Sequence, residues 1–165
     1  MDGLLKDITK AASDGELCGM VGALYREVEE EVGELEVICR GCGKCCRFGK
    51  FGQELLASTA EVGYLWAWLR KQPSKLKNVA AGKREWSDKV CPFLEDESCR
   101  AREARALGCR VFFCQAEGLD KERMERMYEG FHKRIVELHK QRDVSYHYLG
   151  WGEAMSAVRF FVDGS

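Results

Sequence analysis

Residues 39–46 of this chain read CRGCGKCC, a stretch that places four thiols within eight residues. A CxxC spacing allows two thiolates to turn towards one metal ion, and the intervening glycines allow the backbone to wrap tightly around it. Packing alone does not require four cysteines so close together. We therefore expect this loop to form part of a metal or metal-cluster site, around which the rest of the chain is built.

Further cysteines follow in two short groups. Cys91 opens the tetrapeptide CPFL with Cys99 eight residues later, and Cys109 is followed five residues later by Cys114. A ninth cysteine, Cys18, stands apart and is expected to be a small buried hydrophobic residue. The candidate metal ligands are therefore eight cysteines: Cys39, Cys42, Cys45, Cys46, Cys91, Cys99, Cys109 and Cys114.

The composition is that of a soluble globular protein large enough to bury a core. The 165 residues are 45% hydrophobic and 32% charged, with a formal net charge of −1. This balance offers no electrostatic reason to expect a nucleic-acid partner. No stretch approaches the roughly 20 apolar residues that span a bilayer, so we expect no membrane partner.

The first residues contain acidic side chains and lack the continuous apolar run of a secretory signal, so we expect a cytoplasmic location. Cysteines remain reduced in that compartment, and a cysteine cluster there serves metal binding or redox chemistry more often than disulfide formation. An odd cysteine count and the adjacent pair Cys45-Cys46 also argue against a simple disulfide scaffold.

Hydrophobic periodicity indicates helices. Apolar residues recur at three- and four-residue spacing over 15–35, which predicts an amphipathic helix. The segment from Ser58 to Glu61 is a capping-box pattern that opens a second helix, and this helix should stop before Pro73.

Two helices are expected in the C-terminal part. Asp120 can cap a long helix that reaches about Arg142, and a short helix follows over 151–162, with Phe160 among the side chains expected on the core. His132 and His139, on the long helix, have charged neighbours and are expected on the surface.

We therefore predict a mostly α-helical single domain over residues 1–165. Its helices surround a cysteine-rich metal-binding loop core at about 39–114, and its C-terminal helices occupy about 119–162. There is little strand signal in the sequence. The segment 70–90 is rich in lysine and arginine, which predicts a solvated surface or a docking patch for an acidic protein.

Two kinds of metal site fit the cysteine spacing. Cys39, Cys42 and Cys45 repeat the C-x₂-C-x₂-C spacing that holds three corners of a [4Fe–4S] cluster in bacterial ferredoxins, and Cys91 precedes a proline as the remote fourth ligand there does. Zinc is the alternative, because four thiolates form a closed tetrahedral structural site. One division assigns Cys39, Cys42, Cys45 and Cys91 to a first site, and Cys46, Cys99, Cys109 and Cys114 to a second.

Basic residues alternate with the cysteines in this region. A cluster held by thiolates is anionic, so nearby cations should stabilise it and raise its reduction potential. Arg105 and Arg110 are the two arginines that we expect to point towards the sulfurs.

The run CRGCGKCC resembles the CxxCxxCC signature of the YkgJ-type cysteine-cluster family. The later pattern of that family, CPFL followed by C-x₂-Y-x₂-R-P-x₂-C-R-x-F, is similar to the sequence from Cys91 to Phe112, with Arg105 at its arginine. Arg102 and Ala106 stand where the family pattern has tyrosine and proline. The resemblance covers about residues 39–114 and implies a domain that chelates zinc or iron, often labelled an Fe–S protein or Fe–S oxidoreductase.

Three functions follow from these observations. The first is an iron–sulfur protein, most simply of the [4Fe–4S] type, with an electron-transfer or redox role and a protein redox partner. The second is a zinc-binding structural or interaction module without redox activity. The third is an enzyme with an open metal position, although no convincing general base is present in the sequence.

Overall fold

The computed structural model describes residues 2–35, 43–51, 55–72, 74, 90–111 and 120–163. Over these residues the chain is mostly helical, as predicted. The regular elements are α1 (Asp2–Ser13), α2 (Gly15–Gly33), α3 (Phe48–Phe51), β1 (Leu56–Ser58), α4 (Thr59–Arg70), β2 (Leu94–Glu95), β3 (Ser98–Cys99), α5 (Leu107–Val111), α6 (Lys121–Gln141), β4 (Tyr148–Gly150) and α7 (Trp151–Asp163). Two 3₁₀ turns cover Lys44–Cys46 and Arg102–Ala104.

Side-chain caps begin the three longest interior helices. Asp14 accepts a hydrogen bond from the backbone N–H of Leu17 at the start of α2. Ser58 and Glu61 form a complete capping box at α4, and Asp120 caps α6. Such caps satisfy backbone N–H groups that a helix leaves unpaired. The helices predicted from periodicity and capping at these positions are therefore confirmed.

Four short strands pair in two small antiparallel sheets, which the sequence did not predict. In one sheet β1 pairs with β4, with Ala57 opposite Leu149. In the other, β2 and β3 form a hairpin whose two turn residues, Asp96 and Glu97, have φ of 45° and 62°. Positive φ at both central residues is the geometry of the tightest hairpins.

The buried side chains form two adjacent core groups. The first lies among α1, α4 and α7 and includes Ile8, Leu65 and Val158. The second lies among α2, α5 and α6 and includes Val21 and Ile135. Helices α1 and α4 contribute to both groups, so this helix pair joins the two halves of the fold.

Helix α7 packs on the first group through most of the residues expected there. Met155 and Val158 are buried, and Phe161 stacks on Trp66 with the ring centroids 5.3 Å apart. Phe160 was wrongly expected on the core: its side chain is 62% exposed. Consecutive helix positions differ by about 100° in direction, so Phe160 and Phe161 cannot both face the same core.

Ion pairs between residues far apart in the sequence connect α2 with α6. Arg134 makes a two-pronged contact with Glu27, at 2.6 and 2.9 Å. Arg142 bonds both to Asp14 and to Glu16. The Arg134–Glu27 pair is about half exposed, whereas the Arg142–Asp14 pair is mostly buried. Exposed pairs contribute little stability, so the main effect of Arg134 and Glu27 is on how the two helices align.

Among the helices that the structure describes, none is long and apolar enough to cross a membrane. Most of the basic segment 70–90 lies outside the described residues, so its predicted docking role stays a prediction.

The crossing of α1 and α4 depends on Gly63. A Cβ atom added there would lie 2.5 Å from the Cβ of Ala11 and 2.9 Å from the backbone N of Ala12. Because both neighbours belong to another helix, the two helices would have to separate to accept any side chain.

We expect Gly63→Ala to lower the free energy of unfolding by about 1–3 kcal/mol, as an overpacked core does. Gly19→Ala is the matched control, because Gly19 is an exposed helix residue with no atom within 4 Å of the added Cβ. It should raise stability by about 1 kcal/mol through helix propensity alone. Urea unfolding at a fixed metal content measures both, and shifts of the same sign would contradict this packing.

His139 is buried, so its expected place on the surface was wrong. Its Nε2 accepts a hydrogen bond from the backbone N–H of Ala60 at 3.2 Å, and its Nδ1 lies 3.2 Å from the carbonyl of Val144, to which it donates in this tautomer. The neutral ring thus caps the first turn of α4. Burial lowers the pKa of His139 below its ordinary 6.5, against opposing effects of the Val144 carbonyl and Glu61.

This geometry predicts a loss of stability in mild acid. Because the unfolded chain binds the proton more readily, the stabilisation is complete above the unfolded pKa of 6.5 and declines as pH falls through the lower folded pKa. We expect His139→Gln to flatten the stability profile between about pH 7 and pH 5, since glutamine does not titrate. Chemical denaturation across that range measures this.

His132→Gln is the control, because His132 lies on the same helix but is only partly buried, and its contacts are tyrosine side chains: the hydroxyl of Tyr146 and the rings of Tyr128 and Tyr148. This variant should keep the decline in acid. A decline of equal size in the His139→Gln protein would show that other groups cause it.

Candidate metal centre

The first cysteine segment is shaped by a tight turn. Gly43, with φ of +64°, precedes the 3₁₀ turn that carries Cys45 and Cys46, and the N–H of Cys46 donates to the Gly43 carbonyl at 3.1 Å. An added Cβ on Gly43 would lie 2.6 Å from a methyl group of Leu94. Glycine is therefore needed here twice, for its backbone conformation and for the close approach of the β2–β3 hairpin.

The second segment is bonded directly to the first. The N–H of Cys91 donates to the carbonyl of Cys46 at 2.8 Å, and the N–H of Leu94 donates back to the Cys91 carbonyl at 3.1 Å. The hairpin that follows returns the chain to Cys99 at the end of β3, where the N–H of Arg100 donates to Phe93 at 2.8 Å. Backbone hydrogen bonding thus brings Cys46, Cys91 and Cys99 near one another.

The third segment is α5, which carries Cys109. Its thiol acts electrostatically on Cys45, Cys46 and Cys99, so it completes a group of five sulfurs from three separate segments. Within the described part of the chain, the cysteines Cys18, Cys45, Cys46, Cys91, Cys99 and Cys109 are free thiols. Cys18 lies elsewhere, half-buried in α2 with its S–H directed at the Ala11 carbonyl.

Proximity and burial raise the pKa of several of these thiols and so favour their protonated form. The pKa of Cys45 is raised far above its ordinary value, first by its hydrogen bond with Cys46 and then by burial. The same bond lowers the pKa of Cys46, but its bond with Cys91, its burial and the nearby sulfurs raise that pKa to about 12. Burial, followed by the neighbouring sulfurs, also raises the pKa of Cys109.

Ionising several adjacent, partly buried thiols costs free energy. A metal ion removes this cost, because its positive charge stabilises the thiolates together. The donor set fits a thiophilic ion, since cysteine sulfur selects zinc or iron–sulfur clusters over magnesium or calcium. Within the described ranges, no three His, Cys, Asp or Glu side chains are arranged to hold an ion as they stand. There the thiol of Cys46 lies beside those of Cys45 and Cys91 instead.

Apolar residues surround the sulfurs. Cys46, Cys91 and Cys99 belong to the first core group, which also contains Phe48, Phe93 and several small residues of the 101–106 turn. Apolar neighbours limit the access of water to a metal centre and influence its reduction potential. The cysteines therefore lie at the edge of the core, not on an open loop.

The two arginines expected beside the sulfurs have different surroundings. Burial and neighbouring sulfurs raise the pKa of Cys45, Cys99 and Cys109, and the positive charge of Arg105 opposes that rise, so Arg105 lies near the sulfur group. Arg110 is buried, but its described contacts are an ion pair with Glu29, the ring of Tyr25 at 4.0 Å, and the carbonyls of Glu103 and Arg105.

Three predicted ligands, Cys39, Cys42 and Cys114, lie outside the described residues. The proposed division of eight cysteines into two sites therefore stays a prediction. Among the five that are described, Cys46 contacts Cys91 from the other set and Cys45 from its own segment, so the two sets would have to share one region.

Sequence reasoning missed two residues that support this region. Glu61 was recognised only as part of a capping box, yet its carboxylate also accepts the N–H of Leu107 at 2.8 Å. Tyr25, whose hydroxyl donates to Glu61 at 3.2 Å, had no recognisable signal. A spacing pattern identifies ligands, but contacts between distant helices leave no pattern of their own.

Comparison with known proteins supports metal binding in this region. The family CxxCxxCC, described as a putative zinc- or iron-chelating domain, matches residues 38–131, which is more than half of the chain. Searches of curated proteins and of solved structures found no significant match. The matched span contains all three cysteine segments brought together by the fold. On this evidence the chain belongs to the CxxCxxCC family of zinc- or iron-chelating domains.

Proposed function

We propose that this protein is an iron–sulfur protein, most simply of the [4Fe–4S] type, with an electron-transfer or redox role. The observation that carries this proposal is the meeting of five free thiols from three segments of the chain. The wide sequence separation of these segments makes an accidental gathering of sulfurs an unsatisfactory explanation.

The number and spacing of the cysteines favour a cluster over a single ion. Cys39, Cys42 and Cys45 have the spacing of three cluster ligands, and Cys91 is the proposed fourth. We assign Cys46, Cys99, Cys109 and Cys114 to a second four-sulfur site. When bound, an iron–sulfur cluster supplies reversible one-electron transfer.

The chain's own residues have three roles in this proposal. The cysteine thiolates bind the cluster, and the apolar residues of the first core group keep water from it. Arg105 provides a positive charge beside Cys99 and Cys109, which would stabilise an anionic cluster and favour its reduced form. A reducing, cytoplasmic location belongs to the same proposal, because oxidised thiols cannot act as ligands.

Zinc binding without redox activity is the alternative. The described residues already include more than the four sulfurs that a closed tetrahedral site requires, and such a site is structural. In that case the protein would be an interaction module. Arg105 would then balance the negative charge of the zinc–thiolate group, and there would be no reduction potential for it to influence.

A protein redox partner is part of the first proposal. We assign no catalytic residue, because the three histidines have other contacts: His139 caps α4, His132 bonds to Tyr146, and His147 bonds to Asp7 at 2.9 Å. A substrate-binding role would require a general acid or base that faces the sulfurs.

Metal and sulfide analysis of protein purified without air and without nickel affinity resin distinguishes the two functions. We expect iron with an equal amount of acid-labile sulfide, a brown colour and a broad visible absorbance that is bleached by a reductant. Zinc without sulfide would contradict the redox role and support the structural module. Removal of either metal with a chelator should lower the thermal midpoint, because metal binding and folding are linked.

We expect Cys46→Ser to lower the bound metal per chain and the thermal midpoint, since Cys46 contacts two other sulfurs. Cys18→Ser is the matched control, because the described contacts of Cys18 lie outside the sulfur group. Metal analysis of both variants checks this, and an unchanged metal content in the Cys46→Ser protein would exclude Cys46 from both proposed sites.

A further inference from the structure

The segment between two of the proposed ligands is held by residues distant in sequence. We call residues 99–110 the cysteine limb: it begins at Cys99, passes through the 3₁₀ turn Arg102–Ala104, and ends in α5 just after Cys109. Two side chains support it, Tyr25 of α2 and Glu61 of α4. Both are almost fully buried, with 2% and 3% exposure.

The first support is the carboxylate of Glu61. One oxygen accepts the backbone N–H of Ser58 at 2.7 Å, within α4's own capping box. The other accepts the N–H of Leu107 at 2.8 Å and the hydroxyl of Tyr25 at 3.2 Å. Since Leu107 is the first residue of α5, Glu61 determines where the helix that carries Cys109 begins.

The second support is the ring of Tyr25. The guanidinium of Arg110 lies 4.0 Å from the centre of that ring, a cation–π contact at a buried position. From there Arg110 donates to the carbonyls of Glu103 at 2.7 Å and Arg105 at 2.9 Å. Arg110 thereby closes the turn between Cys99 and Cys109, and Tyr25 determines the position of Arg110.

We propose that Tyr25 and Glu61 are positioning residues of the metal centre, which hold the cysteine limb so that Cys99 and Cys109 stand in place to bind metal. This inference rests on the proposed metal-binding function and extends it to two residues that are not ligands. Tyr25 also lies outside residues 38–131, so the matched family region is supported by a helix that precedes it.

The physical reason is that buried polar groups tolerate few partners. The carboxylate of Glu61 requires all three of its hydrogen-bond donors, because a buried carboxylate without hydrogen bonds is strongly destabilised. In Tyr25→Phe the ring remains under Arg110 while one donor to Glu61 is lost. In Glu61→Gln the amide NH₂ must face either Ser58 N–H or Leu107 N–H, so one of these two contacts becomes a repulsion between donors.

The test is a titration of the full-length, reduced, metal-free chain with Co²⁺, in competition with a chelator of known affinity. Thiolate-to-cobalt absorbance reports both the affinity and the ligand geometry. We expect Tyr25→Phe and Glu61→Gln to weaken binding about 10–100-fold, the range found when hydrogen-bond partners of metal ligands are removed, and to alter the spectrum. Alkylation of the metal-free variants should also become faster at Cys109.

Ser58→Ala is the matched control. It removes the other half of the same capping box, the acceptor for Glu61 N–H, without touching the carboxylate. It should lower the unfolding midpoint of the metal-free protein while leaving cobalt affinity, spectrum and Cys109 alkylation unchanged. This control separates loss of the site from general loss of stability, and Tyr25→Phe, the milder change, covers the case in which Glu61→Gln does not fold.

The outcomes separate this proposal from the one on which it rests. A wild-type chain that binds no cobalt would overturn the metal function and this inference together. If the wild type binds cobalt and both variants bind it with the same affinity and spectrum, only the positioning role is overturned. The same conclusion follows if Ser58→Ala weakens binding as much as they do.

Discussion

The buried carboxylate of Glu61 is the hydrogen-bond acceptor at which three parts of the fold meet. Glu61 lies in the interior with 3% of its surface exposed, and three donors satisfy it: the N–H of Ser58, the N–H of Leu107 and the hydroxyl of Tyr25. These donors belong to the N-cap of α4, to α5 and to α2. Since an unsatisfied carboxylate is costly in a dry interior, the three elements can come together in few other ways.

The cysteines are placed at the edge of this framework. The Gly43 turn, the bond from Cys91 to the Cys46 carbonyl and the β2–β3 hairpin bring two segments together, and α5 adds the third. The sulfurs of this group are partly or fully buried and would repel one another as thiolates, a repulsion that a bound metal relieves. The fold therefore creates a strong preference for a thiophilic ion and places Arg105 where it can balance the remaining negative charge.

Sequence patterns predicted the helix starts correctly because the interactions that form those starts join residues close together in the chain. The caps at Asp14, Ser58 and Asp120 each bond to a residue three positions later, so a short window of sequence contains the whole interaction. His139 was misjudged for the opposite reason. Its neighbours along α6 are charged, but its ring bonds to Ala60 on another helix, and no local window contains that contact.

Helix periodicity, caps and CxxC spacing act within a few residues, so the sequence alone indicated the helical class of the fold, the starts of its main helices and the cysteine-rich character of its site. The three-dimensional fold was needed to bring Cys45, Cys46, Cys91, Cys99 and Cys109 together in one group. It also decided that Arg110 turns to Tyr25, and that Glu61 joins three elements. Those outcomes depend on which buried donors and acceptors face each other across packed helices, and residues far apart in the chain supply them.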